Sequence, residues 1–180
     1  MCMLMDAEGI PLDYQLVADE PNAGKLAELA HWGRREHGLQ RVVIIAGRLS
    51  HMGESMQALA EQGDGFVFYE PIQAGSELAE WASTTRGYVP SEKGTYRIKS
   101  RTRMVAVGKN DLVGDEHDGL SAKEAISTAN DNTTPCANLN VKEVVLRSRG
   151  YACAITSETQ LSAARIFNLF RELWRLTEPF

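Results

Sequence analysis

The segment Arg41-Val42-Val43-Ile44-Ile45-Ala46 constrains the fold more than any other stretch of the chain. Behind one arginine it runs apolar without a break, and a strand with one face in water would alternate instead. Both faces of this strand must therefore be covered. Helical patterns lie on either side of it to do the covering. Residues 23–37 follow Pro21-Asn22, set Leu26, Leu29, Ala30 and Gly33 close to one face, and stop at Gly38. Residues 52–62 read as a second helix ended by Gly63, and 65–69 as another short strand. Ahead of all this, 2–5 is short and apolar and 10–17 partly alternates. With Ala7-Glu8-Gly9 as the turn between them, they predict a hairpin. Strand, strand, helix, strand, helix, strand is an α/β pattern built around a central sheet.

The middle of the chain changes character. Residues 77–81 suggest a helical turn, and 87–103 alternate around Ser91-Glu92-Lys93-Gly94 as a β-hairpin would. Residues 109–140 are rich in Asp, Asn, Ser and Thr and lack a long periodicity. They read as loop with one weak helix at 122–129. Order returns at 141–146 and 151–156. The chain closes with a helix over 162–176, carrying Ile166, Leu169, Phe170, Leu173 and Trp174 at helical spacing. The organisation is thus an α/β segment over 1–70, a β-rich and loop segment over 71–149, and a closing strand and helix over 150–180.

Composition narrows the function classes. With 180 residues the chain matches one domain able to bury a core. Its 19 Lys and Arg against 24 Asp and Glu give a net charge of −5, which excludes a globally basic nucleic-acid binder but not a local basic patch. No apolar run approaches the roughly 18 residues that a membrane span needs. Met1-Cys2-Met3-Leu4-Met5-Asp6 has no basic lead-in of a signal peptide. Cys2, Cys136 and Cys153 are odd in number and widely spaced, and His31, His37, His51 and His117 do not complete a metal set with them. A reduced, cytoplasmic protein without membrane contact and without zinc is expected.

Few side-chain constellations stand out. Arg97, Lys99, Arg101 and Arg103 fall on alternate positions of one strand and so share a face. Such a row suits DNA phosphates, and equally the solvated outer face of a hairpin. Asp115-Glu116-His117-Asp118 is dense in metal-ligand types, but neighbours in a loop seldom converge on one ion, and a solvated turn is the plainer reading. Gly63-Asp64-Gly65 is a turn, since no lysine follows at phosphate-loop spacing. Trp32, Trp81 and Trp174 read as core or interface anchors.

Several segments, in order, resemble the DDE transposases of bacterial insertion sequences, specifically the insertion sequence four superfamily. Met3-Leu4-Met5-Asp6-Ala7-Glu8-Gly9-Ile10-Pro11-Leu12-Asp13-Tyr14 resembles the second and third strands of that family's RNase H-like core, and 22–29 the helix after them. The run ending at Ala46 resembles the strand that leads to the second catalytic aspartate. Gly63-Asp64-Gly65-Phe66-Val67-Phe68 resembles the next strand, and 77–81 through 99–101 the start of a β-rich insertion. Gly150-Tyr151-Ala152-Cys153-Ala154-Ile155-Thr156-Ser157-Glu158 and Phe170-Arg171-Glu172-Leu173-Trp174-Arg175-Leu176 resemble the strand and helix that bear the catalytic glutamate. The likeness covers most of the chain except about 105–139.

The resemblance implies an incomplete RNase H-like core, a mixed sheet with helices, carrying a β-rich insertion between the fourth-strand region and the last helix. It also implies DNA transposition chemistry, in which three carboxylates hold two magnesium ions that activate the attacking oxygen and steady the leaving one. This chain departs from that pattern where it matters. Gly47 stands at the second aspartate and Thr177 at the glutamate, while Phe170 replaces a tyrosine and Leu173 a basic residue. Glu178 is one position late, about 100° around a helix. The first aspartate belongs on a strand ahead of residue 1, and Asp6 reads as a turn residue. The expectation is a transposase-family protein that is catalytically inactive as this chain, with no catalytic or metal-binding residue and no cofactor of its own. A non-catalytic regulator that binds DNA through Arg97, Lys99, Arg101 and Arg103, or that binds transposase subunits, is the alternative.

Overall fold

A computed structural model describes residues 2–6, 10–17, 21–47, 49–91, 95–107, 137–148 and 150–177. Strands β1 (Cys2–Met5) and β2 (Pro11–Gln15) form the antiparallel hairpin, with Met3 opposite Tyr14 and Leu4 opposite Asp13. Asp6 closes its turn. The Asp6 N–H donates to the Ile10 carbonyl (3.0 Å), and the Ile10 N–H donates to Asp6 Oδ1 (2.8 Å).

Helix α1 (Ala23–His37) begins where the Asn22 side chain accepts the Lys25 N–H (2.9 Å) and ends at Gly38, whose φ of 64° suits glycine. Its buried residues are Leu26, Leu29, Ala30 and Gly33, the face expected from their spacing. Gly33 permits a close approach: a Cβ there would lie 3.3 Å from Val42 Cγ2 and 3.5 Å from Leu4 Cδ1. The chain then forms β3 (Val43–Ala46), α2 (Met52–Glu61) and β4 (Gly65–Glu70), with β3 and β4 parallel and Ile44 beside Phe66. Helix α3 (Glu77–Ser83), capped by Ser76, leads to β5 (Val89–Pro90), β6 (Arg97–Val107), β7 (Ala137–Arg147), β8 (Tyr151–Thr156) and α4 (Ala163–Thr177).

The strands from β3 onward make one mixed sheet in the order β3-β4-β8-β7-β6-β5, in which only β3 and β4 run parallel. On one side, Leu26, Leu29 and Ala30 of α1 and Met56 and Leu59 of α2 pack on Ile44, Phe66, Phe68, Val107, Val141 and Ile155. On the other, Ile166 and Phe170 of α4 pack on Val67, Ile98, Val144 and Ala154, with Val43 and Ile45 half-buried among them. Ile44 thus faces one layer while Val43 and Ile45 face the other, which is why the run shows no alternation. A smaller cluster joins Leu78 and Ala82 of α3 to Val145 and Cys153.

The structure is α/β as the sequence indicates, and it moves some boundaries. β7 starts at Ala137 and β6 extends to Val107, so the two pair over their full length from Arg97↔Arg147 to Val107↔Ala137. Asn138 and Asn140 alternate there with Leu139 and Val141, and the polar half of that alternation hid the strand inside a loop-like composition. The β-rich middle continues the core sheet directly, since β7 pairs with β8. The proposed helix at 122–129, the 115–118 cluster and Glu178 lie outside the described residues. Among the described residues, no helix is long and apolar enough to cross a membrane.

Candidate functional site

The far half of the sheet carries a charged layer under α3. Register places Arg101 opposite Glu143 and Lys99 opposite Val145, so the cationic row and this glutamate share a face. Glu143 is fully buried and receives both guanidiniums, from Arg101 Nε to Oε2 (2.5 Å) and from Arg103 Nε to Oε1 (2.6 Å). Arg101 also donates to Glu77 Oε1 on α3 (2.7 Å), and Arg103 approaches Glu70 Oε1 at 4.0 Å.

Lys99 is 4 % exposed and is caged. Its Nζ donates to the carbonyls of Trp81 and Thr84 and lies 4.6 Å above both the Trp81 and Tyr88 rings. The Arg101 guanidinium sits 4.5 Å from the Trp81 ring centre. Trp81 is thus an anchor, as the sequence suggested, and what it anchors is a pair of cations. Burial, then the nearby Arg101 charge, pulls the Lys99 ammonium below its ordinary range.

Glu70 is the unusual member. Its Oε2 is buried and has no hydrogen-bond partner among the described residues. Burial pushes its carboxyl up to about 7, Glu143 adds to the push, and Arg103 and Arg101 oppose it. Cys153, paired with Glu70 across β4 and β8, has its thiol pushed up by burial first and by Glu70 and Glu143 after that. It is packed as an apolar side chain and not poised as a nucleophile. The layer therefore sets Lys99, Arg101 and Arg103 against Glu70, Glu77 and Glu143, three cations to three carboxylates. Chemically it can hold a proton on Glu70 and clamp α3 to the sheet.

Of the four cations singled out from the sequence, Lys99, Arg101 and Arg103 enter this layer. Arg97 stands apart, exposed and directly opposite Arg147, whose guanidinium lies 5.8 Å from the Tyr151 ring. Gly47 follows the last residue of β3, and a Cβ built there meets nothing within 4 Å. Thr177 is the final residue of α4. Neither residue offers a hard anionic oxygen, and among the described residues no group of three His, Cys, Asp or Glu side chains could hold a metal. The donor set does not fit a pair of magnesium ions.

Three carboxylates, two of them fully buried and one partly so, escaped the sequence reading. Glu143 and Glu70 are two of them, and Asp64 is the third. Asp64 is fully buried as a side chain, accepts the Val42 N–H at 3.0 Å and pairs with Arg34 at 3.1 Å. Its signal, an acid between two glycines, looks like any turn. Next to it, Arg41 and Glu158 form a two-bonded pair (2.5 and 3.0 Å) across Gly65, where a Cβ would come within 2.2 Å of Glu158 Oε1. An open cleft of about 540 Å³ along α1 is lined by Lys25, His31, Trp32, Arg34 and Arg35. Three of its cations are already spent on neighbours: Lys25 on Glu28, Arg35 on Glu36, and Arg34 on Gln62 and Asp64. No protein-family model matches the chain, and no characterised protein matches it in a sequence search.

Proposed function

We propose that this chain is a transposase-related protein with an RNase H-like core, which has lost the carboxylates of DNA strand transfer and is inactive as it stands. The supporting observation is the order of parts around β3. A parallel β3–α2–β4 unit is followed by a β-rich stretch, an antiparallel return along β8 and a closing helix α4, with Gly47 at the end of β3. That order suits the family resemblance, and glycine and threonine at Gly47 and Thr177 cannot replace the carboxylates that two-ion phosphoryl transfer needs. The purified chain should neither nick supercoiled plasmid nor join DNA ends with magnesium or manganese. Robust metal-dependent cleavage would overturn the reading.

A non-catalytic role in transposition is the second reading, with DNA or transposase subunits as the partner. The DNA arm rests on exposed Arg97 beside Arg147, since the other three cations of the row are committed to internal partners. The protein arm rests on Ile10, Leu12, Tyr14 and Leu16, whose exposure along one face of the hairpin is 59, 47, 63 and 81 %. Duplex binding that weakens steeply with salt and is lost in Arg97→Ala/Arg147→Ala favours DNA. Salt-independent absence of binding removes that arm.

A further inference from the structure

Glu70 stands where the sheet hands the chain on to α3. It is the last residue of β4, and only residues 71–75 separate it from Ser76, the cap of α3. Its Oε2 is buried and accepts no hydrogen bond from the described residues. The groups that face it come from four elements. β6 brings Arg103, whose Nη2 lies 4.0 Å from Glu70 Oε1, with Arg101 and Lys99 further along the same face. β7 brings Glu143, β8 the Cys153 thiol, which burial keeps protonated, and α3 the carboxylate of Glu77. The buried face of α2 carries Gly53, Ser55, Met56 and Leu59 and no charge.

The same groups tie α3 down. Its apolar footprint is small, with Leu78 and Ala82 on Val145 and Cys153 and Trp81 beside them. Arg101 bridges Glu143 Oε2 (2.5 Å) and Glu77 Oε1 (2.7 Å) and lies 4.5 Å from the Trp81 ring centre, while Lys99 donates to the Trp81 and Thr84 carbonyls. With a proton on Glu70, two guanidiniums serve two carboxylates, Glu143 and Glu77. An ionised Glu70 makes a third, and Lys99 cannot serve it while backbone carbonyls hold its Nζ. Arg103, the nearest cation, then closes on Glu70, and Arg101 is left to neutralise the buried Glu143. The carboxylate given up is the one that water already solvates, Glu77, whose side chain is 79 % exposed. α3 thereby loses its ion pair, and Trp81 the guanidinium against its ring.

We infer that α3 is a proton-gated clamp, docked on the sheet while Glu70 is protonated and released when Glu70 ionises, by a change of partners that runs through Arg103, Glu143 and Arg101. Burial, which pushes the docked Glu70 carboxyl from 4.5 up to about 7, gives the device its sign. Release returns the carboxyl to its ordinary range. Docking is therefore fully favoured below about 4.5, weakens as pH rises and levels off above about 7. This inference rests on the charged layer and does not depend on the transposase reading.

Residue-resolved amide exchange on the full chain, expressed as protection relative to an unstructured peptide at the same pH, tests it. The reporters are the Glu80 and Thr84 amides, which donate to the Ser76 and Glu80 carbonyls, and the references are Ala154 and Ile155 of the central strand β8. Between about pH 4.5 and pH 8 the α3 protection should fall about a hundredfold. At about pH 8 it should be at least about tenfold below that of the references and insensitive to low urea, as a local opening is. Glu70→Gln should hold α3 protection level across the same range. If that variant does not fold, the parent's own profile and urea response still decide. Protection of α3 that stays flat with pH would overturn the clamp, as would α3 amides that match Ala154 and Ile155 in protection and urea dependence, since α3 then opens only when the whole chain unfolds. A fall confined to pH above about 8, or one that survives in Glu70→Gln, belongs to another group and would overturn it as well.

Discussion

At the β3–β4–β8 end of the sheet, Leu59, Phe66, Phe68 and Ile155 fill one layer and Ile166 and Phe170 the other, none more than 2 % exposed. At the β6–β7 end, the corresponding layer under α3 is built from Lys99, Arg101 and Arg103 of β6 and Glu143 of β7, with Glu70 approaching it from the end of β4. The first half gains from removing apolar area from water, a driving force that has no direction and involves no titrating group. The second half must offset the desolvation of several charges, and it can do so only through specific partners in specific places. The comparison teaches that one sheet carries two kinds of order. In the apolar half side chains can be exchanged for others of similar volume, while in the charged half Glu143 cannot be removed alone from its two arginines.

Breaking the charged half should produce the largest effect. Glu143→Ala leaves Arg101 and Arg103 without their shared carboxylate and should cost about 3–5 kcal/mol in urea denaturation. The triple variant Arg101→Met/Glu143→Leu/Arg103→Met should recover most of that loss, because an apolar set of similar volume avoids the desolvation altogether. A single variant costing less than about 1 kcal/mol would show that solvent reaches the network and screens it. In the apolar half, Leu59→Ala should cost about 2–5 kcal/mol through lost burial and the cavity left behind. Its cost should not change with pH across the range where Glu70 titrates, and a pH-dependent cost would erase the distinction between the halves.

The two halves also differed in how much could be read from sequence. α1 and β8 match their expected limits, because Asn22 and Gly38 mark one and a bounded apolar run marks the other. The apolar core follows from the same local patterns. In the charged half, alternation correctly puts Lys99, Arg101 and Arg103 on one face, but it says nothing of what lies opposite. Their partner Glu143 sits about forty residues on, across a segment with no periodicity, and strand pairing over such a distance leaves no local trace. A row of cations therefore looked available for phosphate. Glu70, at the end of an otherwise apolar strand, gave no sign that its carboxyl would be buried, and Asp64 was disguised by its flanking glycines.

The smallest effect, and the sharpest on the charged half alone, is the pH dependence that Glu70 confers. Its carboxyl ordinarily titrates near 4.5 and is raised to about 7 in the folded protein. Below about 4.5 it is protonated whether the chain is folded or not, and it imposes no penalty. As pH rises toward 7 the unfolded chain gives up the proton while the folded one keeps it, so stability falls, and above 7 the loss levels off. Glu158 works in the opposite sense: its hydrogen bond from Arg41 holds its carboxyl low, so its contribution is present at neutral pH and lost in acid. Glu70→Gln should match the parent protein near pH 4. It should gain on the order of 2 kcal/mol over it by pH 8, with the gain appearing between about 4.5 and 7. Denaturation midpoints measured across that range separate the two carboxylates by the sign of the slope. A difference between Glu70→Gln and parent that stays flat with pH would mean that Arg103 and Arg101 fully offset burial at Glu70, and the charged layer would then be closer to an ordinary surface ion-pair network than to a second core.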